Sequence, residues 1–257
     1  MKRPYIVMLV LAVCSAMCLA PLTAAQAARK TSRKAARNTA KSIDEIFLKM
    51  TLKKAERGDA GAQKSLGLMY YNGEGVPRDA VKSFEWFEKA ALQGNAAAQC
   101  YLAKMYGEGE GVARDAVKSL QWYEKAASRG ELIAQCHLGR IYGLGEGVPK
   151  DAMKSFEWFE KAAQQGDANA QVLIGELYKK GEGVPKDYKK ACEWFEKAAL
   201  QGDSDAQMLV AELYKKGDGI PEDAVKSFEW YEKAALQGDS DAQYILGNMY
   251  YNGDGVP

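Results

Sequence analysis

His137 is the only histidine in the chain, and Cys136 precedes it. A thiol and an imidazole form a nucleophile and its base only when the ring reaches the sulfur and a third group orients the ring. Neighbouring residues on a helix point apart, so in a helical segment the two do not meet, and His137 reads as a packing residue. No Ser-His-Asp or Cys-His set recurs along the chain, so no catalytic residue is assigned. The Gly-Glu-Gly stretches, such as 73–75, share only their glycines with a phosphate-binding loop. They follow a helical segment rather than a strand and lack the lysine; they are turns, and no cofactor is expected. Asp203 and Asp205 supply too few oxygens for a calcium loop, so no metal is expected either.

The elements that carry these residues are written several times over. Residues 59–94 return at 95–130, 131–166, 167–202 and 203–238, and 239–257 begins a sixth copy. The closing glycines Gly58, Gly94, Gly130, Gly166, Gly202 and Gly238 are spaced by 36 without slippage. So are Trp86, Trp122, Trp158, Trp194 and Trp230, and the glutamines from Gln63 to Gln243. A fixed period of this size marks an array of supersecondary units.

Each unit reads as two helices. In 59–72, Ala62, Leu66, Gly67, Met69 and Tyr70 recur at helical spacing. Asp59 is placed to cap the start, with Asn95, Asp167, Asp203 and Asp239 as counterparts and Glu131 as the weaker exception. Gly73 ends the helix, and Gly75-Val76-Pro77 prevents its continuation. Asp79 caps a second helix, 80–93, with Ala80, Phe84, Phe87, Ala90 and Ala91 inward and a Glu85–Lys89 pair outward. Positions 67, 103, 139, 175, 211 and 247 hold only Gly or Ala, which predicts a tight helix crossing inside each pair. The aromatics at 84, 86 and 87 are expected between pairs, since one unit cannot bury them alone. The strict period places the tryptophans in the core.

The run Ala-Gln…Leu-Gly…Met-Tyr…Gly-Glu-Gly-Val-Pro…Asp…Trp-Phe-Glu-Lys-Ala-Ala…Gly resembles the Sel-1-like repeat, a relative of the tetratricopeptide repeat, over 59–257. The resemblance implies an all-α fold: a right-handed α-solenoid of stacked antiparallel helix pairs that binds proteins and assembles complexes. Some secreted relatives are cysteine-rich, with bridged pairs in each unit, and have hydrolase or penicillin-binding character. This chain lacks those cysteines, which leaves a hydrolase acting on a wall-related amide or β-lactam as the alternative by analogy.

The copies can be compared with one another. Positions common to all units must serve packing; positions that change are free to carry specificity. On the first helix the changing places are 61, 64, 68, 71 and 72 and their counterparts. Laid over the tetratricopeptide pattern, they resemble positions facing a concave groove. The occupants are Lys64, Leu68 and Tyr71; Cys100, Lys104 and Glu108; Ile133, Cys136 and Arg140; Val172, Glu176, Lys179 and Lys180; Met208, Glu212, Lys215 and Lys216; and Tyr244, Asn248 and Tyr251. Such a mixed groove suits a peptide or protein segment. Lys104 and Arg140 share one place in consecutive units and Glu176 and Glu212 take it in the next two, so the wall is expected to change from positive to negative.

Lys2 and Arg3 precede an apolar run from Tyr5 to Ala20, and Ala25-Gln26-Ala27 supplies small residues before a cut. This is a secretory signal peptide, 1–27, and predicts a periplasmic or secreted mature chain. Residues 28–42 carry Arg29, Lys30, Arg33, Lys34, Arg37 and Lys41 and no acid. They read as a flexible basic linker, or as a polycation touching an anionic surface. The near-zero net charge of +1 hides this asymmetry: residues 43–257 hold 27 cations against all 34 acids, a net −7. An acidic body argues against sequence-specific nucleic-acid binding.

Cys14 and Cys18 fall in the leader, and Cys100, Cys136 and Cys192 remain, an odd number. Cys100 and Cys136 hold equivalent places in adjacent units, where helix axes about 8–10 Å apart exceed the about 7 Å that a disulfide spans. No internal bridge is expected. Residues 43–58 align with a second helix but lack its Trp and Phe, and read as an N-terminal capping helix. At the other end the partner helix of 239–252 has not begun at Pro257, so either more units follow or that face binds something. A monomeric binding scaffold, not an enzyme, is the expectation.

Overall fold

The computed structural model describes residues 45–256; the predicted leader, its cleavage point and the basic segment lie outside the described residues. Among those described, every regular element is a helix. A helix at 45–56 (α1) precedes α2 (Ala60–Asn72), α3 (Ala80–Leu92), α4 (Ala96–Glu108), α5 (Ala116–Ser128), α6 (Leu132–Leu144), α7 (Ala152–Gln164), α8 (Ala168–Lys180), α9 (Tyr188–Leu200), α10 (Ser204–Lys216), α11 (Ala224–Leu236) and α12 (Ser240–Asn252). The fold is an α-solenoid of 36-residue repeats. The chain divides into two compact units, one ending at Ser83 and one beginning at Phe84, inside α3.

In the first unit, Thr51 and Ala55 of α1 are buried. The Gln63 amide donates to the Ala55 carbonyl at 3.0 Å and so satisfies the open end of α1. Asp59 accepts from the Ala62 amide and caps α2. Ser83 Oγ donates to the Gly67 carbonyl at 2.8 Å.

In the second unit α4–α5, α6–α7, α8–α9 and α10–α11 pack as pairs, and each pair packs on the next. The first helices start on Asn95, Asp167, Asp203 and Asp239, whose side chains accept from the amide three residues on. Glu131 makes no such bond, because its longer chain misfits the cap. Each first helix stops at a left-handed glycine, as at Gly145 with φ 75°. The next Asp folds back: Asp151 N–H donates to the Tyr142 carbonyl at 2.8 Å, and its carboxylate accepts from Lys154 N–H at 3.0 Å. That bond starts α7.

The predicted tight crossing lies inside each pair. A Cβ on Gly139 would sit 2.8 Å from the Phe159 ring, and one on Gly175 would collide with Phe195. The same crossing carries a hydrogen bond that spacing did not reveal. Ser119, Ser155 and Ser227 donate through Oγ to the carbonyls of Ala103, Gly139 and Ala211 at 2.7, 2.7 and 2.9 Å. Between pairs, Phe84–Tyr106, Phe156–Tyr178 and Phe228–Tyr250 meet edge-on at 5.2–5.3 Å.

The tryptophans differ from expectation. Trp230 is buried, but Trp86, Trp122, Trp158 and Trp194 are half-buried. The lysine three residues on covers each indole: Lys89 lies 4.1 Å over Trp86 and Lys197 lies 3.6 Å over Trp194. Cation–π contact therefore holds Lys89, in place of the expected partnership with Glu85. The repeated glutamines also have a purpose beyond register. Gln99, Gln135, Gln171 and Gln207 donate at 3.0–3.2 Å to the carbonyls of Ala91, Ala127, Ala163 and Ala199, joining each second helix to the first helix that follows.

Candidate functional site

The changing positions of the first helices differ in burial. Cys100 is buried among Ala103, Tyr123, Ala126 and Leu138. Cys136 packs with Phe156 and Phe159, and Val172 and Met208 pack on the core around Phe195 and Tyr231. That place on the helix serves stacking at these units, because the neighbouring second helix covers it. Lys64, Leu68 and Tyr71 are half-buried on α2, and Arg78 Nε donates to the Tyr71 carbonyl at 3.1 Å. Tyr244 and Asn248 are exposed on α12.

Lys104 and Arg140 come together. Both line a pocket of about 550 Å³ bounded by α4, α5, α6 and the turn after α6. Glu108, Arg114 and Glu146 supply its other charges, and Val117, Leu120 and Val148 its apolar wall. Arg140 lies 3.6 Å from the Glu146 carboxylate.

His137 lines the same pocket. Its ring stacks on Tyr123 with centroids 4.8 Å apart. Burial, followed by the charges of Arg140 and Lys104, holds it below its ordinary range and so favours the neutral imidazole. Cys136 turns the other way, into the packing around Phe156, and burial raises its thiol to about 11. A thiol so far from ionisation, facing away from the imidazole, is the reverse of an activated nucleophile. Burial likewise raises Cys100 and Cys192 to about 12, and all three are free thiols.

The acidic half of the expected wall is not bare. Glu176 lies 3.2 Å from Lys179 and 3.3 Å from Lys180 on its own helix. Glu212 lies 3.3 Å from Lys216, while Lys215 is exposed. The lysines one turn on neutralise both carboxylates, so the change of sign inferred from one helical place per unit is damped. Among the described residues no cluster of His, Cys, Asp and Glu could hold a metal ion, and no helix is long and apolar enough to cross a membrane.

Repeat geometry and residue pattern agree with a family model, the Sel1 repeat, which matches residues 60–95, 96–131, 132–167, 168–203, 204–239 and 240–257. The chain belongs to the Sel1 repeat family. It is 40% identical to the protective antigen c5321 of uropathogenic Escherichia coli, with a TM-score of 0.77. That match covers 82% of this chain and 45% of the antigen, so the chain spans less than half of that relative. A Sel1 repeat protein from Oxalobacter formigenes is 35% identical with a TM-score of 0.65, covering 76% of this chain and 80% of that one. No curated protein matches the chain. Sel1 repeat proteins are generally protein–protein interaction scaffolds and mostly non-enzymatic.

Sequence comparison between Sel1 units selected Lys104 and Arg140 but passed over the pocket's remaining walls. Tyr123, Val117 and Leu120 belong to a second helix and Glu146 and Val148 to the turn after α6, which the comparison of first helices did not include. The available signal was His137, an imidazole at a place held by Ser65, Tyr101, Leu173, Leu209 and Ile245 in other units.

Proposed function

We propose that this chain is an exported scaffold that binds a protein or peptide segment across its first helices, with the pocket around Lys104 and Arg140 as the anchor. One observation carries the reading: the residues common to all units are consumed by internal packing, whereas the two cations peculiar to the second and third units line a shared cavity. Ser119, Ser155 and the glutamines have partners inside the fold and leave little to recognise. Lys104 and Arg140 hold a place that is Leu68, Glu176, Glu212 and Asn248 in the other units, and Leu120 beside them stands where the others have Phe84, Phe156, Cys192 and Phe228.

Export is proposed from the leader pattern of residues 1–27, and the description of the E. coli relative as a protective antigen favours it. The mature chain then begins at Ala28.

Site-specific photocrosslinking in the native host tests the binding reading. A photoreactive residue at position 68, 140, 176 or 212 should give discrete protein adducts. The same residue at exposed second-helix positions 121, 157 or 193 should give none. Equal labelling from both sets contradicts the reading.

A further inference from the structure

We propose that the pocket between α4, α5 and α6 seats one carboxylate side chain of the bound segment, held by Lys104 and Arg140, with an adjacent apolar residue against Val117, Leu120 and Val148. This inference rests on the scaffold reading and names the chemistry of its anchor.

Three features of the pocket converge on that chemistry. The first is charge. Lys104, Arg114 and Arg140 face Glu108 and Glu146, a balance of +1, on a body that carries net −7 from residue 43 onward. A single positive excess matches one carboxylate. A dianionic phosphate would meet the two glutamates with charge left over. Arg140 already lies 3.6 Å from Glu146, but a guanidinium has five donors and can serve two carboxylates at once.

The second feature is room, and it exists because one turn stands away from its neighbour. In the later units the second glycine of the turn presses on the preceding unit. A Cβ on Gly183 would collide with the Ala152 carbonyl, one on Gly219 with Tyr188, and one on Gly255 with the Ala224 carbonyl. At Gly147 the same atom would make an ordinary contact with Ala116 at 3.5 Å. The turn that closes those later interfaces leaves this one open. The resulting volume of about 550 Å³ falls within the range of roughly 300–1,000 Å³ usual for ligand sites.

The third feature is the floor. His137 and Tyr123 stack at 4.8 Å, and burial with the two neighbouring cations favours the neutral imidazole. A neutral ring leaves the site's positive charge to Lys104 and Arg140, and its N–H remains a donor. The equivalent places at the next interface hold Leu173 and Glu176, where a carboxylate would meet an apolar residue and a like charge.

The test uses His137 as its own reporter, since it is the only histidine in an untagged chain. The probes are a blocked Val-Glu-Leu tripeptide and its Val-Gln-Leu counterpart, titrated at neutral pH while the His137 ring resonance is followed by NMR. The glutamate peptide should shift that resonance to saturation. The glutamine peptide should bind about tenfold more weakly or worse, as loss of charge-assisted hydrogen bonds requires. Lys104→Gln with Arg140→Gln should abolish the shift while circular dichroism stays unchanged. If that pair unfolds, Arg140→Gln alone, at an exposed guanidinium, should still weaken the response. Equal shifts from both peptides, or no shift from either, overturn the proposal. So does tighter binding of a phosphoserine counterpart, which would assign the pocket to phosphate. Photocrosslinking judges the scaffold reading separately. First-helix adducts without a His137 response would discard the carboxylate seat and keep the scaffold.

Discussion

Ser155 Oγ donates to the carbonyl oxygen of Gly139 across 2.7 Å, from one helix of the third unit to the other. Both residues are buried. The bond and the missing side chain belong together: the serine reaches the opposite backbone only because glycine lets the helices approach. Replacing Gly139 with Leu should therefore force the Phe159 ring aside, since even a Cβ would lie 2.8 Å from it. The expected loss is about 1–3 kcal/mol, occasionally more, as for other overpacked cores. Urea denaturation followed by circular dichroism measures it, and an unchanged midpoint would contradict the packing described.

Arg129→Gln should stabilise the fold. Gln165, Gln201 and Gln237 donate at 2.8–2.9 Å to the side-chain oxygens of Gln135, Gln171 and Gln207. Arg129 holds that place before Gln99, and its guanidinium lies against Gly94 instead. The Gln99 side-chain oxygen is left buried without a partner. Restoring the repeated bond should gain about 1 kcal/mol. A melting temperature equal to or below that of the parent protein would show that the orphaned oxygen costs nothing.

Glu131→Asp should also stabilise, through α6. It is the one first helix from α2 to α12 whose start makes no side-chain cap bond. A capping side chain is typically worth about 1 kcal/mol. Differential scanning calorimetry should show a higher transition for the variant.

The thiols predict a pH dependence. Burial raises Cys100 and Cys192 from the ordinary 9.0 to about 12, and Cys136 to about 11. The folded state thus keeps protons that the unfolded state releases above pH 9, and stability falls as pH rises from about 9 towards 11–12. Tyr142, Tyr214 and Tyr231 are also raised and act in the same direction. Replacing the three cysteines with alanine should flatten the decline in unfolding free energy between pH 9 and 11. Below pH 8 the folded thiols should react slowly with iodoacetamide, and unfolding without reductant should release all three.

The period of 36 made helix number, order and ends legible, because a mistake in one unit would have been exposed by the others. The tight crossing at Gly139 was legible for the same reason: only small residues occupy that place. The crossing serine was not, because a serine on a helix face resembles any other polar residue until a carbonyl is seen opposite Ser155. The tryptophans were legible as packing residues, and Trp122, Trp158 and Trp194 do pack against the core; their partial exposure was not, since a lysine three residues on can cover an indole as regularly as a neighbouring helix can. At the candidate site, Lys104 and Arg140 were legible as a pair. Their pocket was not, since its openness depends on the distance between Gly147 and Ala116, a property of two units together. The damping of Glu176 and Glu212 follows from lysines one turn away, which a comparison of single places per unit ignores.

The proposed recognition rests on the unit-specific cations of the first helices, and association kinetics with a crosslinked and identified partner measure their part in it. Lys104→Glu with Arg140→Glu should slow association about tenfold or more at low salt, since charge complementarity acts mainly on the encounter rate, while the circular dichroism spectrum stays that of the parent. An opposite change of equal size on second helices, Glu157→Lys with Glu193→Lys, should leave the rate within about twofold, because those side chains are exposed away from the pocket. Equal association rates for the two double variants would contradict that part.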